Sequence, residues 1–289
     1  MLLSVCTSAF SGTIAQQLSA AAEAGFEAVE LRGEVDGQPL TSLSVEAFED
    51  VCQLAAEQGL MVATVALGQL GAMADDDDLL RRAAGMSAVS GARLRLFSSF
   101  RPGVLDRLQA TDDPPAMLWD RELKLLGHCL DVIHAEHGQA LVMIEAEPAS
   151  VANTVALGAR LLGELGRANV GLNWDFVNCW MAGEHPWPAT WATLRDWLYG
   201  VHYKGAKADP FDPTRYASQC LPREDDIPHR SIWATLAAVG FDGPVTVDPC
   251  YAEFAPADHF SPEPAEPARE IAVQTLPRLA AYRDHAWSR

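Results

Sequence analysis

The chain has 289 residues, 49% of them hydrophobic and 21% charged, proportions of a globular protein that exclude a disordered or fibrous chain. Thirty-nine acidic residues against 21 basic ones leave a formal charge of −18, and only Lys124, Lys204 and Lys207 are lysines. No basic stripe is present to attract nucleic-acid phosphates or an anionic membrane surface, and no apolar run reaches the ~20 residues of a membrane-crossing helix.

In chain order, short apolar runs alternate with longer helical stretches. Leu2–Thr7 predicts a first strand and Thr13–Gly25 its helix, stopped by a glycine. Phe26–Arg32 predicts a second strand, followed by a helix over Val45–Gly59. Leu60–Leu67, rich in β-branched residues, predicts a third. Four aspartates, Asp75–Asp78, precede the helical stretch Leu79–Gly91; the positive end of a helix dipole favours acidic groups there, so they read as a helix start rather than a metal site. Ala92–Phe97 predicts a fourth strand before a long helix near Ala116–Gly138, and Ala140–Ala146 a fifth before Val151–Gly166. Asn169–Trp174 predicts a sixth strand with a weaker, Trp-rich helix around Pro188–Trp197. Tyr199–Lys204 and Pro244–Asp248 predict the seventh and eighth, separated by the helix Ile227–Gly240, and Pro264–Tyr282 closes the chain.

Eight strand–helix units without a linker or a composition shift predict a single (β/α)8 barrel over residues 1–289. An open doubly wound sheet would want a glycine-rich phosphate turn after the first strand, and Ser8-Ala9-Phe10-Ser11-Gly12 matches no such pattern. The six cysteines are scattered without a CxxC pair, which predicts free thiols in a reducing cytoplasm. Met1 to Phe10 is apolar but lacks a basic start and runs directly into a helix, which argues against a signal peptide.

A barrel enzyme carries its reactive groups at the C-terminal ends of its strands. Glu145 ends the fifth predicted strand, Asp175 follows the sixth, His202 lies near the end of the seventh, and Asp248 ends the eighth. Each alone reads as a helix cap, a rim charge or a packed histidine. One per consecutive strand, they predict a site for a divalent metal: Mn²⁺, Mg²⁺, Co²⁺ or Zn²⁺.

These positions resemble the xylose isomerase-like TIM barrels, in particular the sugar phosphate isomerase/epimerase group. The resemblance runs from Gly25-Phe26-Glu27-Ala28-Val29-Glu30-Leu31-Arg32, through Trp174-Asp175-Phe176-Val177-Asn178 and Val201-His202-Tyr203-Lys204, to Gly240-Phe241-Asp242-Gly243. It implies that Glu145, Asp175 and His202 are metal ligands, with Asp248 standing where a glutamate is usual. Asn178 and Glu147 stand where other members have histidine, Gly205 replaces an aspartate, and Arg223-Glu224-Asp225 replaces a Gly-Glu-Gly turn.

The chemistry so implied is proton abstraction next to a carbonyl, with Glu145 and Asp248 as the proton-transferring pair and the metal as Lewis acid. Lys204 is a candidate for polarising the carbonyl or, equally, a rim cation. Asn178, Glu147, Trp180, Trp187 and Arg223 are candidate contacts to a small carbohydrate-like substrate. Only Lys204, Lys207 and Arg223 could meet a phosphate, and no glycine-rich nest accompanies them, so an unphosphorylated substrate is expected. The Pro-rich stretch Ala255–Pro267 reads as a lid or a contact in a homo-oligomer. An isomerase or epimerase of a keto sugar or hydroxy-ketone is the leading expectation. A dehydratase of a cyclic polyol ketone, and a binding or subunit barrel with weakened chemistry, are the alternatives.

Overall fold

The computed structural model describes residues 1–101, 113–220, 225–249 and 266–287. Eight parallel strands close into a barrel: β1 Leu2–Cys6, β2 Ala28–Leu31, β3 Met61–Gln69, β4 Arg93–Phe97, β5 Val142–Glu145, β6 Val170–Asp175, β7 Leu198–Tyr203 and β8 Pro244–Val247. Each pairs with its neighbour in sequence, and β8 returns to β1 in the register Leu3↔Val245 and Val5↔Val247. Eight principal helices accompany them: α1 Ile14–Ala24, α2 Val45–Glu57, α3 Asp77–Ser90, α4 Ala116–Glu136, α5 Val155–Leu165, α6 Ala189–Leu194, α7 His229–Ala238 and α8 Glu266–Trp287. The (β/α)8 barrel expected from the repeat is the fold.

Local chemistry explains why the elements start and stop where they do. Thr13 and Gln16 form a reciprocal capping box at the head of α1, and Gly25 ends that helix at φ 95°, a left-handed conformation that costs glycine little. Ser44 and Thr154 cap α2 and α5 through Ala47 N and Leu157 N. In the aspartate run, Asp76 accepts from Leu79 N at 2.8 Å, and Asp77 and Asp78 sit in the first turn of α3. Those carboxylates serve a helix start, as the sequence suggests.

Alternation along each strand divides the molecule into two layers. Outward side chains such as Val142, Ile144, Leu172, Trp174, Val201 and Tyr203 are buried in the helix layer, where Leu18, Phe48, Leu80, Leu126 and Leu161 meet them. Fully burying an aliphatic side chain of this size contributes roughly 1.5–3 kcal/mol, so this outer layer is the main source of stability. Inward positions are different in kind. Ser4, Cys6, Glu30, Thr64, Arg95, Glu145, Asn173, Asp175, His202 and Thr246 are all buried, and most are polar.

Two small hairpins follow barrel strands at the C-terminal mouth. Glu34–Val35 pairs with Gln38–Pro39 after β2, and Gly205–Asp209 pairs with Asp212–Cys220 after β7. The second is tied down by Trp180, whose indole Nε1 donates to Thr214 O at 2.9 Å. The Pro-rich stretch lies outside the described residues apart from the start of α8.

Candidate active site

Strands β5 to β8 deliver one ligand-type side chain each to the mouth. Asp175 and His202 are register partners, and Glu145 pairs with Asn173, two residues before Asp175 on the same inward face. His202 lies in the barrel interior with Nδ1 towards three carboxylates: Glu145 Oε1 at 3.3 Å, Asp248 Oδ2 at 3.4 Å and Asp175 Oδ2 at 3.8 Å. Ligand atoms of Glu145, Asp175 and His202 all lie within 4.8 Å of one another.

Asp175 divides its two oxygens between structure and site. Oδ1 accepts from Val177 N at 3.1 Å and Asn178 N at 2.9 Å, capping the short helix Phe176–Met181. Oδ2, buried, is met by the Lys204 ammonium at 2.7 Å, and His202 Nδ1 is buried among the three carboxylates with no closer partner than Glu145 Oε1 at 3.3 Å. Three buried carboxylates and one imidazole nitrogen crowd a single spot, an arrangement that carries a free-energy cost unless cations offset it. The donor set at that spot is one imidazole and carboxylate oxygens, the chemistry of Mn²⁺, Mg²⁺, Co²⁺ or Zn²⁺. The residues fit a divalent metal.

Cations are built in among the acids. Lys204 Nζ also reaches Asp248 Oδ2 at 3.1 Å and Asn178 Oδ1 at 3.5 Å. Arg32 Nη1 lies 3.2 and 3.3 Å from the two oxygens of Asp248. Arg95 donates from Nη1 to Glu145 Oε2 at 2.6 Å and from Nε to Glu30 Oε1 at 2.9 Å. Asn178 Nδ2 bridges Glu145 Oε1 at 3.2 Å and Glu147 Oε2 at 3.1 Å.

This mixture sets the protonation states. Burial alone would raise the Glu145 and Glu30 carboxyls, but Arg95 and His202 outweigh it and hold each at about 2. Burial likewise opposes ionisation of Asp248, and Lys204 and Arg32 overcome it, keeping the carboxyl well below its usual range. Burial would neutralise His202 and Lys204; the surrounding carboxylates instead raise both well above their ordinary values. Glu147 is the exception. Burial dominates there, against the lowering effect of Lys204, and pushes its carboxyl up to about 7.

The sequence pattern of the family described as the xylose isomerase-like TIM barrel matches residues 18–276. The chain belongs to this family. Its resemblance to individual members is more distant. A 3-dehydroshikimate dehydratase of Bacillus anthracis is 27% identical over 133 residues, 45% of this chain and 43% of that one, so the match spans under half of the relative. Among solved structures, D-psicose 3-epimerase with D-tagatose from Clostridium cellulolyticum H10 superposes with a TM-score of 0.71 at 16% identity, covering 98% of this chain and 99% of that one. A xylose isomerase-like TIM barrel protein from Mycobacterium smegmatis in complex with magnesium gives 0.69 at 15% identity, covering 98% and 97%. At such identities the superpositions speak for the fold.

Within this family fold, the remaining residues singled out in the sequence fall in distinct places. Asn178, Glu147 and Lys204 join the four ligand-type residues in one network. Trp180 is 1% exposed, packed edge-on against His185 and Tyr216 beneath the hairpin, while Trp187 is half-buried beside Trp191. Lys207 pairs with Asp226 at 3.3 Å on the outer hairpin. Arg223 lies outside the described residues. Cys6, Cys52, Cys129 and Cys179 are free thiols, and among the described residues no helix is long and apolar enough to cross a membrane.

Sequence reasoning passed over Glu30, Arg32, Arg95 and Asn173. A signal for two of them exists: Glu30 lies between Val29 and Leu31, and Arg95 between Leu94 and Leu96, charged residues flanked by apolar neighbours mid-strand, where a buried charge demands a partner.

Proposed function

We propose that this barrel is a divalent-metal-dependent enzyme that moves a proton on the carbon next to a carbonyl, an isomerase or epimerase of a small keto sugar or hydroxy-ketone. The observation that carries the reading is the convergence of Glu145, Asp175 and Asp248 on the buried Nδ1 of His202, at 3.3, 3.8 and 3.4 Å. Those four residues would hold the metal, which when bound supplies Lewis-acid polarisation of the substrate oxygens.

The protein's own groups account for the rest. Glu145 and Asp248 approach His202 from β5 and from the end of β8, and are the pair assigned to removing and returning the proton. A general acid or base works best with a pKa near the working pH, so Glu147, at about 7, is assigned a supporting proton-transfer role beside them. Lys204, buried and cationic, offsets negative charge that develops on the substrate oxygen. Each described cation of the mouth already faces a carboxylate, which supports an unphosphorylated substrate.

One observation favours a second reading. The partial match to a 3-dehydroshikimate dehydratase supports a dehydratase, in which the same proton abstraction is followed by loss of a β-hydroxyl. Manganese-reconstituted protein incubated in D2O with ketopentoses, ketohexoses and cyclic hydroxy-ketones tests both. Deuterium entering the carbon next to the carbonyl, with a product of otherwise unchanged composition, supports the isomerase or epimerase. Loss of water supports the dehydratase. No exchange into any of these compounds would remove the proton-abstraction reading.

A further inference from the structure

Beneath the site lies a charged layer that the proposed reaction does not use. Glu30 on β2 and Arg95 on β4 are 0% and 1% exposed, as deep as His202 itself. The two ring nitrogens of His202 face opposite ways: Nδ1 towards Glu145, Asp175 and Asp248, Nε2 towards Glu30 Oε2 at 3.0 Å. Arg95 spans the barrel between the two acids, with Nη2 2.7 Å from Glu30 Oε1 and Nη1 2.6 Å from Glu145 Oε2. Asn173 Nδ2 adds a second donor to Glu145 Oε2 at 3.2 Å.

An ionised carboxylate can only accept hydrogen bonds. Beside Glu30, the Nε2 of His202 must therefore carry its proton, so Nδ1 is the nitrogen left to ligate a metal, which would displace any proton shared with the facing carboxylates. A histidine that ligates through one nitrogen is commonly oriented in this way by a carboxylate at the other. Burying a carboxylate and a guanidinium this deep is costly unless both are paired, and the geometry pairs both while aiming a metal ligand at each end.

We propose that Glu30 and Arg95 are positioning residues of the metal centre: Glu30 fixes the tautomer and ring orientation of His202, and Arg95 holds Glu30 and Glu145 in a single mutual arrangement. The proposal rests on the metal reading above and adds to it residues from β2 and β4, strands to which that reading assigns no ligand.

The test uses full-length protein stripped with chelator and titrated with CoCl2, followed by calorimetry and by the visible absorption of bound cobalt. Wild-type protein is expected to take up about one equivalent. Glu30→Gln and Arg95→Met are expected to keep the circular dichroism spectrum of the fold, bind Co²⁺ roughly 10–100-fold more weakly, and shift the cobalt absorption. Affinity within twofold of wild type in both variants, with an unchanged spectrum, would overturn the positioning role and leave the metal reading intact. Absence of Co²⁺ binding by the wild type would overturn both. If the variants do not fold, ¹⁵N-imidazole spectra of wild-type protein loaded with ZnCl2 decide the matter: His202 protonated at Nε2 is expected, and protonation at Nδ1 refutes the proposal.

Discussion

Asp175→Asn separates the two tasks of one carboxylate, because the amide is the same shape. Its oxygen can still accept from Val177 N and Asn178 N and keep the short helix capped. The other position becomes an NH2 group 2.7 Å from the Lys204 ammonium, donor against donor. Breaking a buried ion pair by removing one partner costs about 3–5 kcal/mol. Lys204 retains Asp248 at 3.1 Å, so a loss of about 2–4 kcal/mol is expected in metal-free protein. For a chain somewhat longer than 250 residues that corresponds to a fall in Tm of roughly 4–12 °C. The assay is thermal melting of chelator-stripped wild type, Asp175→Asn, Lys204→Met and the double variant, with elemental analysis of the same proteins purified without chelator. Coupling between the two sites of about 1–3 kcal/mol and loss of most of the metal in Asp175→Asn are expected. Additive stabilities together with unchanged metal content would refute both the ion pair and the ligand assignment.

Three further outcomes follow from the same geometry. Glu147 has its folded pKa raised to about 7, so its contribution to stability is complete below the unfolded carboxyl value and is lost as pH rises through 7; Glu147→Gln should flatten stability between pH 5 and 8 and erase a kcat/KM inflection near neutrality, and an unaltered pH profile would remove Glu147 from proton transfer. In Asp248→Glu the longer carboxylate has to fit between Arg32 and Lys204, which already bracket the aspartate at 3.2 and 3.1 Å; turnover should fall at least tenfold, whereas a gain would mark Asp248 as a weakened ligand. Gly200→Ala would set a Cβ 2.5 Å from Asn173 Oδ1 and 2.8 Å from Met143 Sδ; calorimetry should register a loss of about 1–3 kcal/mol, and a stability equal to wild type would contradict the close packing of this inward position.

The barrel strands and the four ligand-type residues were legible because each rests on a strong local signal. Apolar runs of strand length mark β1 to β8, and an acid or histidine closes each of the last four. The hairpin after β7 was not legible: Gly-Ala-Lys-Ala-Asp and Asp-Pro-Thr-Arg-Tyr-Ala-Ser-Gln-Cys carry little apolar alternation, since much of the hairpin is solvated. Asp175 showed why cap and ligand readings of one acid need not compete, as its two oxygens answer to different partners. Glu30 and Arg95 escaped notice because their meaning lies in partners distant along the chain, and a motif window sees only neighbours.

That distance has a consequence for how the barrel assembles. Arg95 meets Glu30 across 65 residues and Glu145 across 50, and His202 meets Glu30 across 172. A fragment containing only β1 to β4 would enclose Arg95 with Glu30 but leave out Glu145 and His202; one containing β5 to β8 would bury Glu145, Asp175, His202 and Asp248 without either arginine. The second half holds more buried acids than Lys204 and His202 can offset, and an uncompensated internal charge is strongly unfavourable. The electrostatics at the centre thus disfavour a separate C-terminal half-barrel and favour closing it against the strands that carry Arg32 and Arg95.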